Sequence, residues 1–334
     1  MTRHFLIAFA LLLPTQAQST RKLSEHRPLA GVSAIATNVS DLAAATKFFT
    51  TVLDFVPVDQ HEIQGDDEAR LRGVFGLRAK VQRLRLGDEY LELAEVATPR
   101  GRRYPEDTKG NDRWFQHIAI IVSDMDRAYA RLRQHDVPHA SVAPQTLPAW
   151  NPDAGGIRAF YFRDLDGHFL ELLQFPPGKG QARWHGRGEL FLGIDHTAIV
   201  VSDTETSLAF YREALGMEVV GTSENWGPEQ ERLNGVFGAR LRITALRAPT
   251  GPAIELLEYL APGPGRAPPH DLAANDLAHW CVIAHSPALE DAFVALRDRR
   301  VQFVSPGPID TASSRALTMR DPDGHCIRLT QSRD

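Results

Sequence analysis

Apolar and polar residues alternate along this chain in a pattern that predicts short buried strands, each followed by a helix. The clearest example covers residues 193–205, where an apolar strand carries a single histidine, His196. A Ser-x-x-Glu capping box at Ser202 and Glu205 predicts that a helix begins directly after the strand. A polar side chain in an otherwise apolar strand is a candidate for chemistry, so the recurrence of this pattern matters.

The pattern occurs four times. Residues 31–41 match residues 193–203, and the same offset aligns Gly73 with Gly235 and His117 with His279. Each copy closes with strands, and an Asp-Gly hairpin turn precedes the last strand in the second and fourth copies. Self-similarity of this kind indicates repeated structural units. We therefore divide the chain into modules 1 (residues 30–97), 2 (115–176), 3 (190–261) and 4 (277–332).

The first residues have the features of a targeting segment. Arg3 and His4 precede an apolar run at residues 5–13, and Ala17 follows in a small-residue context. The run is far shorter than the ~20 residues that span a bilayer. It predicts a signal peptide at residues 1–17, a flexible lead-in at 18–29, and a periplasmic or secreted protein without a stable membrane span after cleavage. An uncleaved N-terminal anchor is the alternative.

Composition narrows the class of protein. The chain has 334 residues, 43% of them hydrophobic and 24% charged, which is typical of a soluble protein of about two domains. The net charge of −5, without a basic run interleaved with aromatics, argues against nucleic acid as a partner. Two cysteines, Cys281 and Cys326, are too few for a disulfide framework, but in an oxidising compartment they leave one disulfide open.

The motifs point to a known family. A histidine lies on the first strand of three modules, glutamate lies in an apolar context on the last strand of three, and Asp-x-Asp-Gly-His precedes that strand in modules 2 and 4. The chain resembles the vicinal oxygen chelate superfamily, which includes glyoxalase I, extradiol dioxygenases, methylmalonyl-CoA epimerase and bleomycin resistance proteins. The resemblance implies an α+β fold of four βαβββ modules. They would form two cupped-sheet domains, residues 30–176 and 190–332, joined by a linker at 177–189.

The resemblance also implies metal ligands on the first and last strand of each module. Module 1 offers Ala34 and Glu92, module 2 His117 and Glu171, module 3 His196 and Glu255, and module 4 His279 and Arg328. Imidazole and carboxylate ligands suit Zn, Ni, Fe, Mn or Co. We therefore expect one divalent metal ion, without deciding its identity.

The number of intact sites depends on how the modules pair. If sequence neighbours pair, each half loses one ligand, and His279 belongs to the second site. If module 2 pairs with 3 and module 1 with 4, as in single-chain glyoxalases that this chain resembles, all the losses fall in one site. The complete set is then His117, Glu171, His196 and Glu255. The degenerate site contains Ala34, Glu92, His279 and Arg328, with the Arg328 guanidinium on Glu92 in place of a metal. We favour this crossed pairing because the defects coincide.

Three functional classes follow from the resemblance. The first is an isomerase or lyase in which the metal chelates adjacent oxygens of a small substrate and Glu171 or Glu255 is the base. The second is an Fe(II) dioxygenase using His117, His196 and Glu171. The third is a non-catalytic binding protein of the bleomycin-resistance type. The extra carboxylate of Glu255 favours the first class.

Other residues are candidates for substrate contact. Trp150 and Tyr161 lie in an aromatic segment of module 2, and Arg158 would suit an anionic substrate. We expect these residues to bind a small molecule that is anionic or rich in oxygen.

Overall fold

The computed structural model describes residues 28–333. The predicted signal peptide at residues 1–17, and most of the predicted lead-in, lie outside these described residues. No helix within residues 28–333 is both long and apolar enough to cross a membrane.

Each module contains the predicted first strand, a helix and further strands. Module 1 consists of β1 (Gly31–Asn38), α1 (Leu42–Val52), β2 (Val56–Ile63), α2 (Asp66–Arg72), β3 (Arg78–Leu86) and β4 (Glu89–Thr98). Module 2 consists of β5 (Gln116–Val122), α3 (Met125–Gln134), β6 (Gln145–Thr146), β7 (Arg158–Arg163) and β8 (Phe169–Gln174). A 3₁₀ turn, Ala182–Trp184, lies between modules 2 and 3.

The second half repeats this order. Module 3 consists of β9 (Phe191–Val201), α4 (Thr204–Leu208) continued by a π-helical segment (Ala209–Ala214), β10 (Glu218–Trp226), α5 (Pro228–Asn234), β11 (Arg240–Arg247) and β12 (Ala253–Ala261). Module 4 consists of β13 (Trp280–His285), α6 (Leu289–Asp298), β14 (Gln302–Phe303), β15 (Ile309–Asp310), β16 (Ser314–Arg320) and β17 (Cys326–Ser332).

The modules pair crosswise into two sheets. Strands β5 and β9 pair antiparallel, so modules 2 and 3 share the sheet β10-β11-β12-β9-β5-β8-β7-β6. Strands β1 and β13 do the same for modules 1 and 4, in the sheet β14-β16-β17-β13-β1-β4-β3-β2. We call the concave faces of these sheets the 2/3 cup and the 1/4 cup. The sequence halves 30–176 and 190–332, predicted as the two domains, therefore each contribute one module to each cup.

Helices α1, α3, α4 and α6 pack on the convex faces, whereas α5 contributes Gln230 and Leu233 to the wall of the 2/3 cup. The central first strands are buried on both sides. Every residue of β9 is buried, and α1 turns Leu42, Phe49 and Val52 toward a core shared by both sheets. The start of α4 differs from the prediction: Asp203, not Ser202, is the N-cap, and its side chain accepts a hydrogen bond from the backbone N–H of Thr206. A carboxylate suits this position because it bonds the free N–H groups and complements the helix dipole.

Two ion pairs join the connector that precedes module 2 to the connector that precedes module 4. Arg102, before module 2, donates to Asp276, before module 4, at 2.6 Å. Arg266 donates to Asp112 at 2.7 Å in the equivalent contact. Both carboxylates are buried whereas the guanidinium groups are partly exposed, so each aspartate keeps a partner at the interface.

Cys281 and Cys326 form a disulfide, which answers the question that the sequence left open. They are directly opposite each other on the parallel strands β13 and β17, with Cα atoms 4.5 Å apart. The bond closes a loop across a sequence separation of 45 residues and ties the first strand of module 4 to its last.

Removing this disulfide should destabilise the protein. In a Cys281→Ala/Cys326→Ala double variant we expect the free energy of unfolding to fall by ~2–4 kcal/mol, because the unfolded chain loses its cross-link. Urea unfolding of both proteins without reductant measures the difference, and reduced wild-type protein should approach the variant. Equal unfolding midpoints without reductant would contradict this assignment.

Candidate functional site

The two central strands of the 2/3 cup bring His117 and His196 to the same face. His117 on β5 lies opposite Ala198 on β9, and His196 lies opposite Ala119. Each histidine is two residues from the alanine of its own strand, so all four side chains point into the cup. Because alanine side chains are small, Ala119 and Ala198 leave space between the two histidines.

The outer neighbours of these strands add two carboxylates. Glu171 on β8 lies beside Ala119, and Glu255 on β12 lies beside Ala198. The two histidines and two glutamates therefore surround the pair of alanines, each ligand type coming once from each module. The structure brings together all four residues of the complete set predicted for crossed pairing.

The side-chain donor atoms of this group lie close together. His117 Nε2 is 3.1 Å from Glu171 Oε2, and His196 Nε2 is 3.6 Å from the same oxygen. His196 Nε2 is also 3.3 Å from Glu255 Oε2. His117, Glu171 and His196 form a compact buried trio, whereas the Glu255 side chain is 23% exposed and contacts only His196 among the three.

Asp195 orients His196 and was missed by the sequence reasoning. Its Oδ2 lies 3.1 Å from His196 Nδ1, which leaves Nε2 to face the glutamates. The other oxygen of Asp195 accepts from Trp184 Nε1 at 3.0 Å and from Arg247 at 2.8 Å. A carboxylate held behind a histidine is the arrangement that commonly fixes a metal-binding imidazole. Its signal in the sequence was a charge directly before the histidine in an apolar strand.

The charged side chains at the site create an environment that stabilises a cation. Burial disfavours protonated His196, but Glu255, Asp195 and Glu171 outweigh burial and raise its pKa well above the usual value. Burial lowers the pKa of His117. Burial would raise the pKa of Glu171, but hydrogen bonds from the two histidines lower it, whereas burial raises the pKa of Glu255. The site therefore gathers more negative than positive charge.

The donor set fits a divalent ion. Ligands ~2.1 Å from a common metal lie about 3.0–3.4 Å from one another in octahedral or tetrahedral geometry. The distances of 3.1, 3.3 and 3.6 Å between donor atoms in the structure fall in or near this range. Two glutamate charges would also be compensated by one divalent ion. His117, Glu171, His196 and Glu255 are thus the residues that could hold it.

A cavity of about 250 Å³ opens above the group. Glu171, His196 and Glu255 form its polar end, with Tyr161 beside them. Most of the remaining lining is aliphatic, and none of the lining residues in the described chain is lysine or arginine. A small molecule can therefore reach the carboxylates through a largely apolar cup.

Comparison with known proteins identifies the fold family. The model for the Glyoxalase/Bleomycin resistance protein/Dioxygenase superfamily matches residues 31–172 and 193–329. The chain belongs to this superfamily. The predicted resemblance and the predicted α+β fold of βαβββ modules are confirmed.

Individual relatives of the superfamily differ in chemistry. The chain is 34% identical over 148 residues to a 2-epi-5-epi-valiolone epimerase from an Actinomyces species, covering 43% of this chain and 79% of that protein. Its fold is similar to that of glyoxalase I from Zea mays (TM-score 0.59, 15% identity, 90% and 92% of the two chains). It is also similar to a putative dioxygenase from Bacillus subtilis (TM-score 0.58, 14% identity, 92% and 87% of the chains). These structural likenesses show the shared fold.

Two of the predicted substrate contacts lie away from the cavity. Arg158 pairs with Asp126 of α3 at 2.7 Å, on the convex side of β7, because it is three residues from cavity-facing Tyr161. Trp150 packs on Trp226 of module 3, with ring centroids 4.3 Å apart, and does not line the cavity. The prediction for Arg158 is therefore corrected, and Trp150 instead joins the two modules.

The 1/4 cup departs from the superfamily pattern further than predicted. Cys281 lies opposite Ala36, as His117 lies opposite Ala198, so the disulfide occupies the ligand position and His279 precedes it by two residues. The offset that aligns Gly73 with Gly235 no longer applies here, because the connector before module 4 is longer than the connector before module 2. Asp112 and Asp276 occupy equivalent positions in the two interface ion pairs, and their spacing shows this difference. His279 therefore does not replace His117.

The remaining positions of the 1/4 cup also changed. Ala34 takes the place of a histidine, and Arg328 takes the place of Glu171. The predicted contact of Arg328 with Glu92 is absent from the ion pairs of residues 28–333; Glu92 lies 3.9 Å from Arg83 instead. Arg83 lies opposite Glu92 on the neighbouring strand β3, so it supplies the cation that was predicted to come from Arg328.

The raised pKa of His196 has a consequence for stability. A group whose pKa is raised on folding stabilises the fold fully below its ordinary pKa of ~6.5, and this contribution is lost as pH rises through the folded value. In metal-free protein we therefore expect the destabilisation caused by His196→Gln to shrink as the pH rises above the ordinary histidine pKa of ~6.5. Urea unfolding at fixed pH values measures it. A difference that grows with pH would show that charged His196 does not stabilise the fold.

Proposed function

We propose that this protein is a metal-dependent isomerase or lyase that transfers a proton on a small, oxygen-rich substrate in the 2/3 cup. The observation that carries the proposal is the convergence of two imidazoles and two carboxylates at the base of an open cavity. Superfamily membership, with an epimerase among the relatives, supports enzymatic chemistry of this kind.

The charge of the group supports a bound divalent cation. Glu171 and Glu255 both lie beside His196, at 3.6 and 3.3 Å, and Asp195 behind that histidine has its own partner, Arg247. Buried carboxylates without a compensating charge are costly, whereas one divalent ion neutralises two of them. Such an ion, when bound, supplies Lewis-acid polarisation of two neighbouring substrate oxygens.

The two glutamates take different roles in this proposal. Glu171 is buried and contacts both histidines, so its carboxylate is held as a ligand. Glu255 contacts one histidine, is more exposed and lines the cavity, so its carboxylate has room to reach a substrate C–H group. We assign the general base to Glu255, which accepts the proton and returns it to the product.

The lining of the cavity favours a neutral substrate. It contains Asp153 and the two glutamates but no lysine or arginine among its residues, so an anionic substrate would lack a partner. The polar side chains of Thr222, Ser223 and Gln230 also line the cavity. Hydroxyl groups of a substrate would find hydrogen-bond partners among such groups. We therefore keep the predicted oxygen-rich substrate and abandon the anionic alternative.

A dioxygenase is the second candidate, supported by the compact trio His117, Glu171 and His196. Two histidines and one carboxylate are the ligands of many non-haem Fe(II) oxygenases. Glu255 has no role in that chemistry. Its direct contact with His196 therefore favours proton transfer.

We also propose that the protein is exported. The charged start, short apolar run and small residues of positions 1–17 support a cleaved signal peptide. The disulfide between Cys281 and Cys326 supports an oxidising compartment. Cell fractionation with N-terminal sequencing tests this; a cytoplasmic protein that retains residues 1–17 would refute it.

Metal binding should depend on the 2/3 cup alone. We expect His196→Ala to lower the metal content of purified protein from about one equivalent to under a tenth, since it removes a central ligand. His279→Ala, which removes a histidine near the disulfide of the other cup, is the matched control and should retain metal. Elemental analysis measures both. Metal lost from His279→Ala and kept in His196→Ala would place the site in the 1/4 cup.

Substitution of the proposed base, Glu255, should affect catalysis without affecting metal binding. Glu255→Gln should keep the metal but slow substrate C–H exchange by roughly 100-fold or more, since general-base catalysis contributes on this order. Exchange is followed in D₂O by proton NMR with neutral α-hydroxyketones, and carboxylated analogues serve as the comparison. Glu171→Gln should instead lose the metal. Wild-type exchange by Glu255→Gln would overturn the assignment of the base.

A further inference from the structure

We infer that the 1/4 cup is a second binding site, in which Arg328 holds the carboxylate of a small monoanionic ligand without a metal. The inference is independent of the proposed function of the 2/3 cup. It begins from a buried cation that lacks a counter-charge.

Arg328 is only 5% exposed, yet its guanidinium is almost unpartnered. Its one hydrogen bond within residues 28–333 is a long contact from Nε to Thr318 Oγ1, at 3.5 Å. The terminal nitrogens of the guanidinium have no acceptor in the described structure. Burying a charge without a partner is costly, so a bound anion would stabilise this arrangement.

The nearby carboxylates are already used by other arginines. Glu68 pairs with Arg72 at 3.2 Å, within helix α2. Glu92 pairs with Arg83 at 3.9 Å. Arg328 is therefore the excess cation of this group, and one negative charge on a ligand would balance it.

The pKa shifts of Arg328 and His279 agree with this balance of charges. Burial and neighbouring Arg72 lower the pKa of Arg328 to about 9. Burial, Arg320 and Arg328 lower the pKa of His279 to about 3, so this imidazole is neutral and adds no charge. Glu68 and Glu92 act in the opposite direction on Arg328, and the three arginines, Arg72, Arg83 and Arg328, with these two glutamates leave one positive charge in excess. This balance is the reverse of that in the 2/3 cup.

The side chains beside the guanidinium are smaller than their counterparts in the 2/3 cup. Thr318 lies opposite Arg328 on β16, where Tyr161 lies opposite Glu171 in the 2/3 cup. Ala34 stands where module 3 has His196, so both neighbours are smaller than their counterparts. A guanidinium fork matches a planar carboxylate, to which it can donate two parallel hydrogen bonds. We therefore assign the site to a small monocarboxylate.

Acetate is the probe for this site. The protein is first treated with phenanthroline, a neutral chelator, and dialysed, so that acetate cannot bind a metal in the 2/3 cup. We expect the thermal midpoint to rise and saturate as acetate increases to about 0.1 M at constant ionic strength, because a ligand that binds only the folded state stabilises it. Chloride at the same ionic strength should give no saturable rise.

Variants locate the effect. Arg328→Met should abolish the rise, and Arg328→Lys, which keeps the charge but not the fork, should weaken acetate binding about tenfold. Arg299→Met removes the same charge from an exposed position and should behave as wild type. If Arg328→Met does not fold, the comparison of Arg328→Lys with wild type decides. No rise in wild type, or an unchanged saturable rise in either Arg328 variant, would overturn the inference.

Discussion

The antiparallel pairing of β5 with β9 is the constraint on which the candidate site depends. It places His117 and His196 on neighbouring strands, on the same face of one sheet, with Ala119 and Ala198 between them. A slip of one residue in this pairing would turn one histidine to the convex face. Because both strands are buried on both sides, the register is fixed by packing as well as by backbone hydrogen bonds.

The same scaffold produces two cups of opposite character. In the 2/3 cup, glutamates surround histidines and the electrostatic balance favours a cation. In the 1/4 cup, an alanine, a disulfide and an arginine take the places of three ligands, and the balance favours an anion. The backbone arrangement is shared, so the difference comes from a few side chains on the central and neighbouring strands. Function in such a fold lies in the site and not in the architecture.

Much of the fold was predictable because repetition is visible in the sequence. The aligned strands, the Asp-Gly turns and the ligand types His117, Glu171, His196 and Glu255 all follow from comparing the modules. Module pairing was not predictable with certainty, since the connectors are long enough for either arrangement. Pairing is decided by contacts between residues far apart in sequence, such as those of Arg102 with Asp276.

Two local errors have different physical origins. The sequence offset aligns His279 with His117 because a longer connector before module 4 brings another histidine to the same spacing, and only the strand register shows that Cys281 is the true equivalent. The error for Arg158 was avoidable, because a residue three positions from Tyr161 on a strand must face the other way. The orientation of Asp195 toward His196 required a structure, since adjacent strand residues normally point to opposite faces.

Anomalous X-ray diffraction from crystals of protein purified without added metal tests the central claim most directly. We expect one anomalous peak within about 2.1 Å of donor atoms of His117, Glu171 and His196, with none near Arg328. A peak beside His279, or metal-containing protein whose ion lies outside the 2/3 cup, would contradict it.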